Sequence, residues 1–226
     1  MSIAALSLIA LPVAYNVLFG LLAARFDYPD ILRHPTDEIL ERFRAGGAPL
    51  IRLWEAFMLT ALAFTVVPAL LAAELGGADS GLLLAGAFVG GFAGLVQALG
   101  LLRWAFIVPH LARRHAEADT DAERAAQRAI FDALHRYLGV GVGEHLGYLL
   151  TGLWTLLASA AILQSDALPH ALGWAGLLPG AALIVGAREF VGRHEEHGWA
   201  PAEKLVPVAY VGWSLWLMAL GIGLLV

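Results

Sequence analysis

The chain has 226 residues, of which 59% are hydrophobic and only 15% charged, with a formal net charge of −5. A soluble domain carries about a quarter charged residues and roughly half apolar ones, so this composition excludes a disordered chain, a nucleic-acid binder and an ordinary water-soluble enzyme. Cysteine is absent, which removes disulfides, thiolate chemistry and Cys-ligated zinc or iron–sulfur centres.

A helix needs about 20 mostly apolar residues to cross a hydrocarbon core of about 30 Å. Six stretches meet that length: 3–24, 53–73, 81–102, 138–163, 167–187 and 205–226. None shows the two-residue alternation of a membrane β-strand. The expected fold is therefore all-α, a single six-helix transmembrane domain over 1–226. The first stretch lacks a basic residue before it and Arg25 follows it, so it reads as a retained span rather than a signal peptide.

Between spans one and two, Thr36 is placed to cap a short helix with Asp37 and Glu38 in its first turn. Ile39, Leu40 and Phe43 share a face, which suits a helix lying at the membrane surface. Gly76 and Gly77 mark a tight turn before span three. In the next long connector Thr120 and Glu123 form a capping box. Ala126, Ile130, Ala133 and Tyr137 then repeat at helical spacing, so this helix is expected to run into span four. Pro169 stands near the turn between spans four and five. Pro12, Pro68 and Pro179 are the possible kinks.

The segments Arg25–Arg52, Arg103–Arg136 and Arg188–Lys204 hold all fourteen Lys and Arg residues. The short connectors at 74–80 and 164–166 hold only Glu74, Asp79 and Asp166. By the positive-inside rule the long connectors are cytoplasmic and both termini lie outside, as in a multi-pass protein of a bacterial inner membrane. Trp54, Trp104 and Trp199 stand near the predicted interfaces, as aromatic belts do; Trp213 and Trp216 lie deeper, against a cavity or against neighbours.

Glycines recur every four residues at Gly86, Gly90 and Gly94, at Gly139, Gly143 and Gly147, and at Gly176 and Gly180. Small residues let membrane helices approach closely, so spans three to five are expected at the tight centre, with the seams also available to a homo-oligomer. The run GVGVGEHLG (139–147) is not a dinucleotide fingerprint, because residue 144 is Glu and no βαβ unit surrounds it.

Ionisable groups within spans are costly and mark functional positions. Glu55, Arg103, Glu144 and His145 share a depth near the cytoplasmic edge, Tyr148 follows Glu144 by one helical turn, and Glu189 ends span five. Asn16 and Gln97 are the neutral polar groups set deeper. Arg103 paired with Glu144 or Glu55 makes either a cytoplasm-facing polar pocket for a headgroup or proton, or a structural lock between spans two, three and four. His110, His135 and His145 are the metal-ligand candidates, and His194 with His197 in RHEEHGW lacks the two-His zincin spacing. No nucleophile elbow or phosphate loop is visible, and no cofactor is identified. Three functions remain open: binding or moving a small lipophilic molecule, a membrane enzyme (metal-dependent or not) acting on a lipid-like substrate, and a structural partner subunit. The partners implied are the lipid bilayer and a small lipophilic ligand, with no nucleic acid.

LHRYLGVGVGEHLGYLLTGLW (134–154), the tail EFVG…AYVGWSLWLMALG (189–221) and the elbow FDYPDIL (26–32) resemble the bacterial membrane proteins grouped as domain of unknown function 4386. The resemblance implies a small polytopic membrane protein and brings no activity with it. It places Arg103, His135, Glu144, His145, Tyr148, Glu189, Tyr210 and Trp213 in matching segments, and leaves His194 and His197 outside the pattern.

Overall fold

A computed structural model of the protein describes residues 2–76 and 80–226; Gly77 and Asp79 of the expected first outer turn lie outside them. The described residues are helical, with no strand. Helix α1 (Ile3–Phe26) starts where the Ser2 hydroxyl accepts the Ala5 N–H at 3.1 Å, and stops at Asp27, in the left-handed conformation at φ 57°. Helix α2 (Thr36–Phe64) is two helices joined at Gly47, whose φ 55° and ψ −153° suit only glycine. Pro68 cannot donate to the carbonyl of Phe64, and the chain breaks at Thr65–Val66 before α3 (Val67–Glu74).

Helix α4 (Gly81–Ala116) is the longest element. Helix α5 (Asp121–Leu134) continues without a break through a π-helical segment (His135–Leu146) into α6 (Gly147–Leu163). Helices α7 (His170–Gly186) and α8 (Ala200–Gly223) complete the chain. The α6 helix packs on α7 and α4, α2 packs on α4, and α1 contacts both α2 and α8.

Five helical stretches are long and apolar enough to cross a membrane, not the six expected: Ile3–Phe26, Thr36–Glu74, Gly81–Ala116, Asp121–Leu163 and Ala200–Gly223. The stretch at 167–187 falls short because its helix starts only after Pro169 and ends in a turn beyond Gly186. Its 17 residues reach about 25 Å at 1.5 Å per residue.

The connector helices differ from the surface-lying helices expected of them. Thr36 is the first helical residue rather than the cap, and its hydroxyl bonds Asp132 Oδ1 at 2.6 Å. Ile39, Leu40 and Phe43 are buried in a core with Phe26, Trp104 and Phe131, so the protein itself covers this apolar face. The Thr120–Glu123 capping box is present, with bonds of 3.2 and 3.1 Å. Ala126, Ile130 and Ala133 on α5 and Tyr137 in the π-helical segment are exposed, however, and Phe131 turns inward to stack on His135. One helical stripe was legible, but the aromatic beside it supplies more burial and decides which stripe faces the core.

Trp54 and Trp104 do not form an interface belt. They are fully buried and stacked on each other, 4.6 Å between ring centroids and 11° from parallel. Trp213 and Trp216 pack inside, their indole N–H groups donating to Thr155 Oγ1 at 3.0 Å and to the Leu172 carbonyl at 2.8 Å.

The glycine seams are used within the chain. A Cβ at Gly94 would lie 2.8 Å from the Ala61 carbonyl of α2, and one at Gly152 would lie 2.6 Å from the Gly180 carbonyl of α7. Gly90 meets Pro68 and Trp154, while Gly176 meets Ser159 and Trp216. Among the members of the three seams, Gly86 has the loosest surroundings that still touch another helix, its nearest neighbour 3.7 Å away at Leu157, and Gly139 faces Arg103.

Candidate functional site

The π-helical segment builds one wall of the site, and its three glycines have different neighbours. A Cβ on Gly139 would stand 2.6 Å from Arg103 Nη2, so glycine there makes room for the guanidinium. A Cβ on Gly143 would stand 3.2 Å from Gly100 Cα, which shows how closely this segment approaches α4. A Cβ on Gly141 would make only an ordinary contact, 3.6 Å from the Arg136 carbonyl oxygen, and this glycine lines a separate cavity. In an α-helix, residues five apart are about 140° out of line. The i→i+5 bonding of a π-helix brings them roughly into line. Gly139 and Glu144 therefore share a face, and Arg103 and Glu144 border the same space.

That space is a cavity of about 240 Å³ between α1, the 27–35 elbow, α2, α4, the π-helical segment and α8. Its lining includes Tyr15, Phe19, Tyr28, Phe57, Tyr148 and Tyr210, with Asn16, Gln97, Arg103 and Glu144 as the other polar groups. Tyr15 lies 4.9 Å from Phe57 and 6.0 Å from Tyr210, and Tyr148 meets Tyr210 edge-on at 5.5 Å. Gln97 bridges the walls, donating to Thr151 Oγ1 at 3.0 Å while its carbonyl accepts the Tyr210 hydroxyl at 3.4 Å. Asn16 donates to Ser214 Oγ at 3.0 Å.

Arg103 is buried and already well held. It donates to the Gly100 carbonyl and to His135 Nδ1, the latter at 3.2 Å, and its guanidinium lies 5.2 Å from the centre of the Trp104 ring. Because arginine only donates, His135 accepts with Nδ1 and carries its proton on Nε2. Glu144 is different. Among the described residues its carboxylate takes no hydrogen bond and no ion pair within 4.0 Å, and the hydroxyls of Tyr15, Tyr28 and Tyr148 take no partner either. Arg103 and Glu144 thus face one cavity without the direct pair expected from the sequence.

A second cavity, of about 200 Å³, lies between the π-helical segment and the end of α7. Arg136, His145 and Glu189 line it, and it shares Glu144 and Tyr148 with the first cavity. These two side chains form the partition between the chambers. His145 Nδ1 bonds the Ala187 carbonyl at 2.6 Å, tying the segment to the α7 terminus. Burial raises Glu189 from the ordinary 4.5 to about 7, Glu144 and Glu203 adding to the rise and Arg33 opposing it.

Of the residues expected to cluster, Arg103, Glu144 and Tyr148 meet at the first cavity, and Glu144, His145, Tyr148 and Glu189 meet at the second. Glu55 is apart from both, on the exposed face of α2, because its neighbours Leu53 and Trp54 take the buried face. His110 is exposed near the end of α4, His135 is engaged by Arg103, and His145 is engaged by the α7 backbone. Among the described residues no three His, Asp or Glu side chains come together as a metal site. His194 stacks on Trp199 in the 187–199 loop, 6.0 Å between ring centroids.

Tyr15, Phe19, Tyr28 and Phe57 were not singled out in the sequence. The available signal was Tyr15 and Phe19 one turn apart, with Tyr28 in the elbow two residues past the end of α1. No curated protein and no solved structure matches the chain. One family does, under the description Domain of unknown function (DUF4386), over residues 3–221, nearly the whole chain, and the protein belongs to that family.

Proposed function

We propose that the protein is a multi-pass membrane protein that binds, and in binding carries, a small molecule in the cavity between α1, α4, the π-helical segment and α8. The observation supporting this is a set of polar side chains lining one space whose polar atoms take no hydrogen bond among the described residues: the Glu144 carboxylate and the hydroxyls of Tyr15, Tyr28 and Tyr148. Polar groups removed from bulk water lose free energy unless they are hydrogen-bonded, and a ligand or water supplies the missing partners. A purely structural lock would close Arg103 on Glu144, and these two remain apart.

In this reading the chain sits in a bacterial inner membrane as one domain with both termini outside. The Arg-rich segments at 25–52, 103–136 and 188–204 are cytoplasmic. The His170–Gly186 helix serves as a sixth, short crossing beside α6 and α8, where the local bilayer thins or flanking residues extend to the interface. The second cavity, lined by Arg136 and Glu189, then opens to the cytoplasmic side.

Native mass spectrometry of the protein released from nanodiscs tests the reading. A bound small molecule that survives purification with the wild type and is lost with Glu144→Gln supports it. An empty wild-type protein across several membrane sources and detergents overturns it.

A further inference from the structure

We infer that the ligand is an organic cation, an amine or quaternary ammonium on an apolar body, and that it enters the cavity sideways between α1 and α8; this rests on the ligand-binding reading above. The two charged groups of the cavity are unequally satisfied. Arg103 has the Gly100 carbonyl, His135 Nδ1 and the face of Trp104, and its remaining Nε is sealed away from the cavity. Glu144 has no partner among the described residues. The group left without a direct partner is thus a carboxylate, which an ammonium can meet directly, while the Arg103 guanidinium is turned to Gly100 and His135 and balances it only across the cavity.

The rest of the wall points the same way. Tyr15, Phe19, Tyr28, Phe57, Tyr148 and Tyr210 surround the space, and the faces of aromatic rings attract cations, most strongly where water is excluded. The volume of 240 Å³ equals about eight liquid waters, which fits a compact head rather than a whole lipid. Lateral entry fits the wall on this side: Asn16, Pro207 and Val211, on α1 and α8, line the cavity and are themselves exposed. Exposed Val13, Val17 and Val208 flank them. An entrance bordered by valine and proline in two apolar helices admits a molecule already dissolved in the bilayer.

Three probes of one shape test the charge: benzyltrimethylammonium, its uncharged carbon isostere neopentylbenzene, and the anion phenylmethanesulfonate, titrated calorimetrically into the full chain in nanodiscs. The cation is expected to bind at least tenfold more tightly than either of the others. Glu144→Gln removes that preference, and Glu55→Gln, on the exposed face of α2, leaves it unchanged. Should Glu144→Gln fail to fold, Tyr15→Leu keeps an apolar side chain and removes a ring face, and it lowers cation affinity while sparing the isostere. Equal binding of all three probes, preference for the anion, or no binding of any overturns the cation inference. Ligand binding as such stands or falls separately, on the co-purified molecule in native mass spectrometry.

Discussion

Replacing Gly100 by alanine tests the close approach on which the site depends. A Cβ at Gly100 would lie 2.6 Å from Gly143 Cα, 2.8 Å from the Leu138 carbonyl oxygen and 3.0 Å from Gly143 N. Carbon atoms settle at about 3.5–4.0 Å, so the two helices must separate by about 1 Å. Every atom met is backbone, and no rotamer change relieves the clash. Overpacking of this kind costs about 1–3 kcal/mol. For a chain of this size each kcal/mol shifts the unfolding midpoint by about 2–4 °C, giving a fall of about 2–12 °C. Gly20→Ala is the matched control, because no other described atom lies within 4 Å of a Cβ there. It removes the helix penalty of glycine, worth about 1 kcal/mol, and is expected to leave the midpoint unchanged or raise it. Near-ultraviolet circular dichroism during heating in one detergent reads both. Equal midpoints for Gly100→Ala and Gly20→Ala would refute the packing argument and, with it, the placement of Glu144 and Arg103 on one cavity.

Other perturbations read other parts of the structure. Glu189 binds its proton more tightly in the folded chain, with a value near 7 against an ordinary 4.5, so stability is expected to fall as pH rises through that window. Glu189→Gln should flatten the slope, and unfolding midpoints at about pH 5 and about pH 8 measure it. Asp37 accepts from Arg128 at 2.9 and 3.2 Å and bonds the buried His115 at 2.7 Å. Asp37→Ala leaves that imidazole without its partner and is expected to cost about 1–3 kcal/mol, against little change for Glu117→Ala in denaturant unfolding. Thr120→Ala removes the capping hydroxyl and should cost about 1 kcal/mol, seen as faster amide exchange in the first turn of α5. Tyr148→Ala should merge the two cavities. A single Phe57→Cys reporter in this cysteine-free chain should then react faster with a water-soluble thiol reagent in nanodiscs, and an unchanged rate would show that Tyr148 is not the partition.

Long apolar runs are legible because lipid solvation imposes a length and a composition on each helix separately, and five of the stretches overlap helices long and apolar enough to cross a membrane. Capping at Thr120 was legible for the same local reason. Competition between faces was not. Ile130 and Tyr137 satisfy the helical period as well as Phe131 does, and only the position of Trp104 on α4 decides which stripe is buried. Glu55 shows the same limit. Its depth could be read, but its azimuth depends on Trp54 stacking on Trp104, a contact 50 residues away in sequence. Residues Glu144 and Tyr148 were placed on one face because they are separated by one turn within a single element, and both do line the cavity.

The π-helical segment joins the packing argument to the chemical one. Twelve residues of i→i+5 bonding from His135 to Leu146 are unusual, since π-helix occurs mostly as single turns at functional sites. The wider backbone exposes more of itself and packs poorly on its own axis, a cost that close contact with α4 offsets. Contact at that distance requires glycine at Gly100, and a Cβ at Gly143 would be tight, 3.2 Å from Gly100 Cα. The same geometry sets Glu144 roughly beneath Gly139, and Gly139 holds the Arg103 guanidinium because it has no side chain. Had residues 135–146 formed an α-helix, Glu144 would stand about 140° from Gly139, off the face on which Gly139 meets Arg103. The glycine repeat is therefore more than a packing seam: it fixes a helical register, and the register brings the Glu144 carboxylate to a tyrosine-lined space.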